Sequence, residues 1–179
     1  MEMSPGHPKG MASLTSVLAA CCLILRVCAT AQVTYMTVQP GNWNDASTWS
    51  ASLKPPATIP ASDSVIIRHD LYYDLSTDLK NHGYLGVIGD SNDQPVLTLP
   101  SGRSLKNEYA TATLEVTYAS LIQPVLAGGP ASGTFSNDAG FMRFFSATVS
   151  FAQGFYSDQG QLFASECCIS TGQNFSLDK

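Results

Sequence analysis

Trp43 and Trp49 stand in a polar, turn-forming stretch, Gly41-Asn42-Trp43-Asn44-Asp45-Ala46-Ser47-Thr48-Trp49. Aromatic faces of this kind can stack on the apolar C–H faces of sugar rings at small entropic cost. Tyr72 and Tyr73 offer the same chemistry, as do Phe155 and Tyr156. The competing reading makes the two indoles a plug over the open end of a β core. Large aromatics dominate small cores, which favours the plug. Of the two, Trp43 lies between Asn42 and Asn44, so the sequence predicts an exposed ring there and makes it the better ligand candidate. Trp49 leads toward Pro55 and Pro56 and is the better plug.

Other residue groups carry chemistry on paper. Asp90, Asn92 and Asp93 offer several oxygens in one loop, which makes calcium a candidate cofactor. The set is incomplete for six to eight ligands, and Asn and Asp in such a run more commonly bond their own backbone in a turn. Arg68-His69-Asp70, with Asp74 and Asp78, is the densest ionisable cluster. His69 beside Asp70 suggests acid–base work, but neighbours on a strand point to opposite faces, so the two should diverge. A solvated, charged strand edge is the better reading. Glycoside hydrolysis needs two carboxylates at a set separation, and spacing along the chain selects no pair. Cys167 and Cys168 lack further ligands for a metal site; two buried small apolar side chains in a late strand are expected. Asn174-Phe175-Ser176 is a glycosylation sequon. No catalytic residue is assigned.

The elements that must position these residues follow from composition and pattern. Only 13% of the 179 residues are charged, and the chain holds 14 Gly and 10 Pro. Low charge and many turn formers point to an extracellular β protein. A net charge of -5, with no Lys or Arg cluster, argues against nucleic acid as a partner. A charge-free run from Met11 to Leu25 precedes Ala29-Thr30-Ala31, the order of a cleaved secretory signal. Residues 1–31 are therefore read as a signal peptide cut after Ala31. A lipoprotein signal at Leu18-Ala19-Ala20-Cys21 is the rival. The run is shorter than the roughly 20 apolar residues a spanning helix needs, so no transmembrane segment is expected after cleavage. Three of the five cysteines lie in this segment, which leaves no disulfide framework.

Beyond the signal, short strands are predicted at 65–69, 71–75, 84–88 and 96–99. The clearest alternation runs from Ala112 to Tyr118, with Ala112, Leu114, Val116 and Tyr118 inward. Phe145 to Phe151 reads the same way, with Phe145, Ala147, Val149 and Phe151 inward. No stretch shows a helical period. Irregular turns without tight Asn-Gly hairpins favour a right-handed β-helix-like solenoid over a β-sandwich, although no strict repeat is visible. The expected domains are 32–127 and a continuing β segment, 128–179, joined at Gly128 to Gly133, the whole being a piece of a longer surface protein.

Gly41-Asn42-Trp43, Ser47-Thr48-Trp49, the Pro60 to Asp63 turn, Val65-Ile66-Ile67 and Leu85-Gly86-Val87-Ile88-Gly89 together resemble the extracellular eight-glycine domain. They are also similar to N-terminal modules of large secreted bacterial β-helix proteins. The resemblance covers about residues 35–125. Ser62 stands where that family usually has Gly, and His69-Asp70 replaces a usual Gly. The resemblance implies a β-helix-like fold and a role in binding or processing extracellular polysaccharide. The functional expectation is a secreted or cell-surface, non-catalytic module that binds polysaccharide or cell-surface glycan or mediates adhesion. The alternatives are the N-terminal part of a polysaccharide lyase or glycoside hydrolase, and a structural spacer.

Overall fold

Each of the first fifteen strands among the described residues pairs with the strand three places further on, not with its sequence neighbour. The computed structural model describes residues 31–124 and 133–177. The signal segment and the Gly128 to Ser132 joint lie outside the described residues. Six successive rungs are visible. The first holds β1 (Thr34–Met36), β2 (Gly41–Asn42) and β3 (Thr58–Ile59), with two short 3-10 turns, Ala46–Thr48 and Ser50–Ser52. The second holds β4 (Ser64–Ile67), β5 (Leu71–Tyr72) and β6 (Leu79–Asn81). The third holds β7 (Tyr84–Ile88), β8 (Val96–Thr98) and β9 (Leu105–Asn107). The fourth holds β10 (Thr113–Thr117), β11 (Ser120–Ile122) and β12 (Thr134–Asn137). The fifth holds β13 (Phe141–Phe145), β14 (Thr148–Phe151) and β15 (Gly154–Ser157), and the sixth β16 (Gln161–Ser165), β17 (Cys168–Thr171) and β18 (Asn174–Leu177).

The first, second and third strands of the rungs build three six-stranded sheets, and every strand pair in them is parallel. This is an all-β, β-helix-like solenoid. It displaces the β-sandwich alternative, which requires antiparallel sheets. Rungs differ in loop length. Tyr84 pairs with Thr113 across long loops, whereas Phe141 pairs with Gln161 and Thr148 with Cys168, a bare spacing of 20 residues. That spacing exposes a repeat the sequence reading missed. Phe135, Phe155 and Phe175 share one column, as do Asn137, Ser157 and Leu177. Leu79-Lys80-Asn81 stacks on Leu105-Lys106-Asn107.

Inward positions form the core: Val65, Leu85, Leu114 and Met142 under the first sheet, Leu71, Leu97, Leu121 and Val149 under the second, and Ile59, Leu79, Leu105, Phe135 and Phe155 under the third. An asparagine ladder closes the corner after the third sheet. Asn81 Nδ2 donates to Asn107 Oδ1, and Asn107 Nδ2 to Asn137 Oδ1, each at 2.8 Å. All three are fully buried. In a dry corner each unpaired amide would be costly, so the ladder both satisfies the groups and holds the register.

The corner between the first and second sheets corrects two expectations. Tyr118, Ser146 and Glu166 occupy the same place in successive rungs, and all three have positive φ, between 46° and 56°. A left-handed residue interrupts the in–out alternation. The run from Phe145 to Phe151 is therefore two strands. Ala147, Val149 and Phe151 point inward as expected, but Phe145 sits on the outer surface. Tyr118 likewise turns out of the core, and its ring edge meets Phe145 at 5.3 Å.

Candidate functional site

The aromatics around the first rung are core. Trp43 is 0% exposed, its Nε1 donates to Pro55 O at 2.9 Å, and Trp49 Nε1 donates to Trp43 O at 2.8 Å. Trp43 meets Trp49 and Tyr73 edge to face at 5.3 and 5.2 Å. This corrects the expectation of an exposed Trp43. Asn42 and Asn44 point to solvent while the ring between them turns inward, and polar sequence neighbours do not decide the face. Trp49 is buried as a plug should be. Tyr73 is buried too, with a hydroxyl that meets no partner in hydrogen-bonding geometry. Burial pushes its pKa up to about 12, opposed in part by the nearby Thr77 hydroxyl. Of the six aromatics offered for sugar stacking, Trp43, Trp49, Tyr73 and Phe155 are buried, and only Tyr72, 44% exposed beside Pro40, Asp70 and Thr98, and Tyr156, 38% exposed, present surface.

The calcium candidates form a turn. Asp90 Oδ1 accepts from Asn92 N at 2.7 Å and Asp93 N at 3.0 Å, and these bonds hold its carboxyl below the usual range. Among the described residues no three His, Cys, Asp or Glu side chains gather as a metal site would require. The fold does bring Asp90 and Asp93 across from Arg68 and His69 in a polar cleft of about 450 Å³. His69 and Asp70 diverge: His69 Nδ1 lies 3.1 Å from Thr37 Oγ1, while Asp70 Oδ1 accepts from Val96 N at 2.9 Å. The cysteines depart from expectation as well. Cys167, just before β17, packs half-buried against the core, and Cys168, the first residue of that strand, is exposed.

The outer surface of the first sheet gathers residues that the sequence reading did not single out. β10, β13 and β16 place Glu115, Arg143 and Phe163 in one register row, and Thr117, Phe145 and Ser165 in the next. Parallel strands repeat at about 4.8 Å, so each row is a ladder of closely spaced side chains. These residues line a shallow groove of about 590 Å³. Phe163 is 56% and Phe145 39% exposed. Arg143 is exposed between them, and no described carboxylate lies within ion-pair distance of it.

Glu115 is fixed from two sides. Tyr84 hydroxyl donates to its Oε2 at 3.1 Å and Thr117 Oγ1 to its Oε1 at 3.3 Å. Burial, then the Glu115 charge and hydrogen bond, push the Tyr84 pKa up to about 12, so it remains a donor. Gly86 permits this arrangement: a Cβ there would lie 2.8 Å from the Tyr84 ring and hydroxyl, so the ring lies flat over the glycine toward Glu115. The groove therefore offers two aromatic rings, a guanidinium fork and an oriented carboxylate on one face of a parallel sheet. Such a set can stack on and hydrogen-bond a flat polar ligand. A usable signal was the 20-residue column that aligns Arg143 with Phe163.

No protein-family model, curated protein or solved structure matches this chain. No helix among the described residues is long and apolar enough to cross a membrane.

Proposed function

We propose that the chain is an exported, non-catalytic module that binds extracellular polysaccharide on the outer face of its first sheet. The observation that carries this reading is the groove in which Phe145 and Phe163 flank Arg143 and Glu115. Sugars present apolar C–H faces and rings of hydroxyls, and these four side chains supply a partner for each. A groove running across register rows of an exposed sheet face suits an extended chain better than a compact small molecule. The right-handed solenoid, the eight-glycine-type module at 35–125 and export through residues 1–31 belong to the same reading. N-terminal sequencing of the exported protein should begin at Gln32.

Affinity electrophoresis against a panel of neutral and acidic polysaccharides tests the binding. Retardation by at least one member is expected. Phe163→Ala and Arg143→Ala should each weaken it by about 5- to 100-fold, the range for one hot-spot side chain. Both residues are exposed, so melting temperature should stay within a few degrees. Absence of retardation across the panel overturns the reading, as does retardation that both variants leave unchanged.

A further inference from the structure

Arg143 stands next to a carboxylate with which it does not pair. Glu115 and Arg143 are register partners on the adjacent parallel strands β10 and β13. Opposite charges at such cross-strand positions ordinarily attract. Here the two stay outside ion-pair distance. The reason lies on the far side of β10. Gly86, on β7, shares the register row of Glu115. Its missing side chain leaves room for the Tyr84 ring, whose hydroxyl donates to Glu115 Oε2 at 3.1 Å. Thr117 Oγ1, on β10 itself, donates to Oε1 at 3.3 Å. Each carboxylate oxygen thus has a donor from β7 or β10, and Glu115 is held off the arginine.

The two lysines on the third sheet are treated differently: Lys80 pairs with Glu108, and Lys106 with Asp78. A lone surface arginine is ordinarily just solvated. Arg143 differs in that its natural partner is engaged elsewhere and that the exposed rings of Phe145 and Phe163 lie beside it in one groove.

We infer, resting on the glycan-binding reading above, that the ligand of this groove is an acidic polysaccharide. An oxyanion carried on its sugar ring, a uronate carboxylate or a sulfate ester, takes the Arg143 fork. Tyr84 is a positioning residue that keeps Glu115 from occupying that fork. A guanidinium offers paired N–H donors to two oxygens of one anion, and the two phenylalanines meet the C–H groups of the same sugars. A neutral glycan would use the rings but leave the fork with hydroxyls alone. The net charge of -5 opposes any polyanion. That repulsion is screened beyond about 8 Å at physiological ionic strength, whereas the guanidinium meets its anion at hydrogen-bond distance. Glu166, which follows Ser165, is likewise engaged, accepting from Ser146 Oγ at 2.9 Å.

Affinity electrophoresis of the full chain tests this with each acidic polymer of the panel against its uncharged counterpart: polygalacturonate against its carboxyl-reduced form, dextran sulfate against dextran. The charged member of at least one pair should bind about tenfold more tightly, and which pair shows the difference tells carboxylate from sulfate. Arg143→Gln should abolish the difference and leave the binding of the neutral member. Tyr84→Phe should shrink the difference by about threefold, since Glu115 can then close on Arg143. Adding Glu115→Gln to Tyr84→Phe should restore it, whereas a general structural loss would weaken both members alike and would not be rescued. Arg143 is exposed, so Arg143→Gln decides should Tyr84→Phe not fold by circular dichroism. Equal retardation by charged and neutral members overturns the inference and leaves glycan binding standing; no retardation by any polymer ends both. A preference that survives Arg143→Gln overturns the inference, as does a difference that folded Tyr84→Phe leaves unchanged. Equal, Arg143-dependent retardation by polyglutamate, a polyanion without sugar rings, overturns it as well.

Discussion

At the scale of single residues, the burial of Trp43 redefines what its substitution does. The ring contacts Trp49 and Tyr73, and its N–H satisfies Pro55 O. Trp43→Ala removes buried aromatic area, opens a cavity and leaves a carbonyl unpaired. A loss of about 3–5 kcal/mol in urea unfolding is expected, with Trp49→Ala in the same range. If Trp43→Ala proves neutral, the indole is not a core group. A second residue-scale prediction concerns Glu108. It accepts from His82 Nε2 at 2.9 Å, and Lys80 Nζ lies 3.4 Å away. Burial works to raise its pKa, but the His82 hydrogen bond and the Lys80 charge win and hold it below the ordinary glutamate value. A depressed carboxylate contributes stability above its unfolded pKa, about 4.3, and loses it as pH falls through the folded value. Glu108→Gln should therefore cost on the order of 0.5 kcal/mol near pH 7, the scale of a solvent-screened pair. The difference from the unaltered chain should shrink in unfolding curves as pH is lowered below about 4. A gap that does not change with pH would assign the effect to packing instead.

At the scale of elements, the corner between the first and second sheets is a strained part of the last three rungs. Tyr118, Ser146 and Glu166 hold a conformation that costs an L-residue about 1–2 kcal/mol. Ser146→Gly relieves that strain. It also adds unfolded-chain entropy, a cost of about 0.5–1 kcal/mol, and removes the exposed bond from Ser146 Oγ to Glu166 Oε2. The balance predicts stabilisation of about 0.5 kcal/mol, read as a higher denaturation midpoint at unchanged slope. A clear loss of stability would mean that the Ser146–Glu166 bond outweighs the backbone term. The alternating run from Phe145 to Phe151 was legible as β structure from its residues. Its break at Ser146 was not, because a serine carries no mark of a left-handed corner. The strand at Tyr84–Ile88, ended by Gly89-Asp90, was readable to the residue because its pattern and its turn signal coincide.

At the scale of the whole molecule, the solenoid is a nearest-neighbour structure in which each rung is stabilised by the rungs beside it. Its ends are unequal. The first rung is sealed by two tryptophans, and the last exposes Phe175 and Leu177. Local opening should start at the last rung. Hydrogen exchange followed by mass spectrometry should find amides of 161–177 exchanging at least tenfold faster than those of 84–88 and 113–117, with the tryptophan end intermediate. Uniform exchange across all rungs would show that the molecule opens only as one unit.

The chain by itself determined the fold class and the rejection of helix: low charge, turn formers and β-branched alternation act over a few residues, where sequence and conformation are directly coupled. It also marked the aromatics as important. Tertiary structure alone decided which face each ring takes and which distant residues become neighbours. Trp43 is core because the first rung packs its ring edge to face with Tyr73, and Arg143 shares a register row with Glu115 and Phe163 because parallel rungs align residues 28 and 20 positions apart. Parallel pairing is non-local, and irregular loops hide its period from the linear sequence. The groove therefore existed only once the register was set.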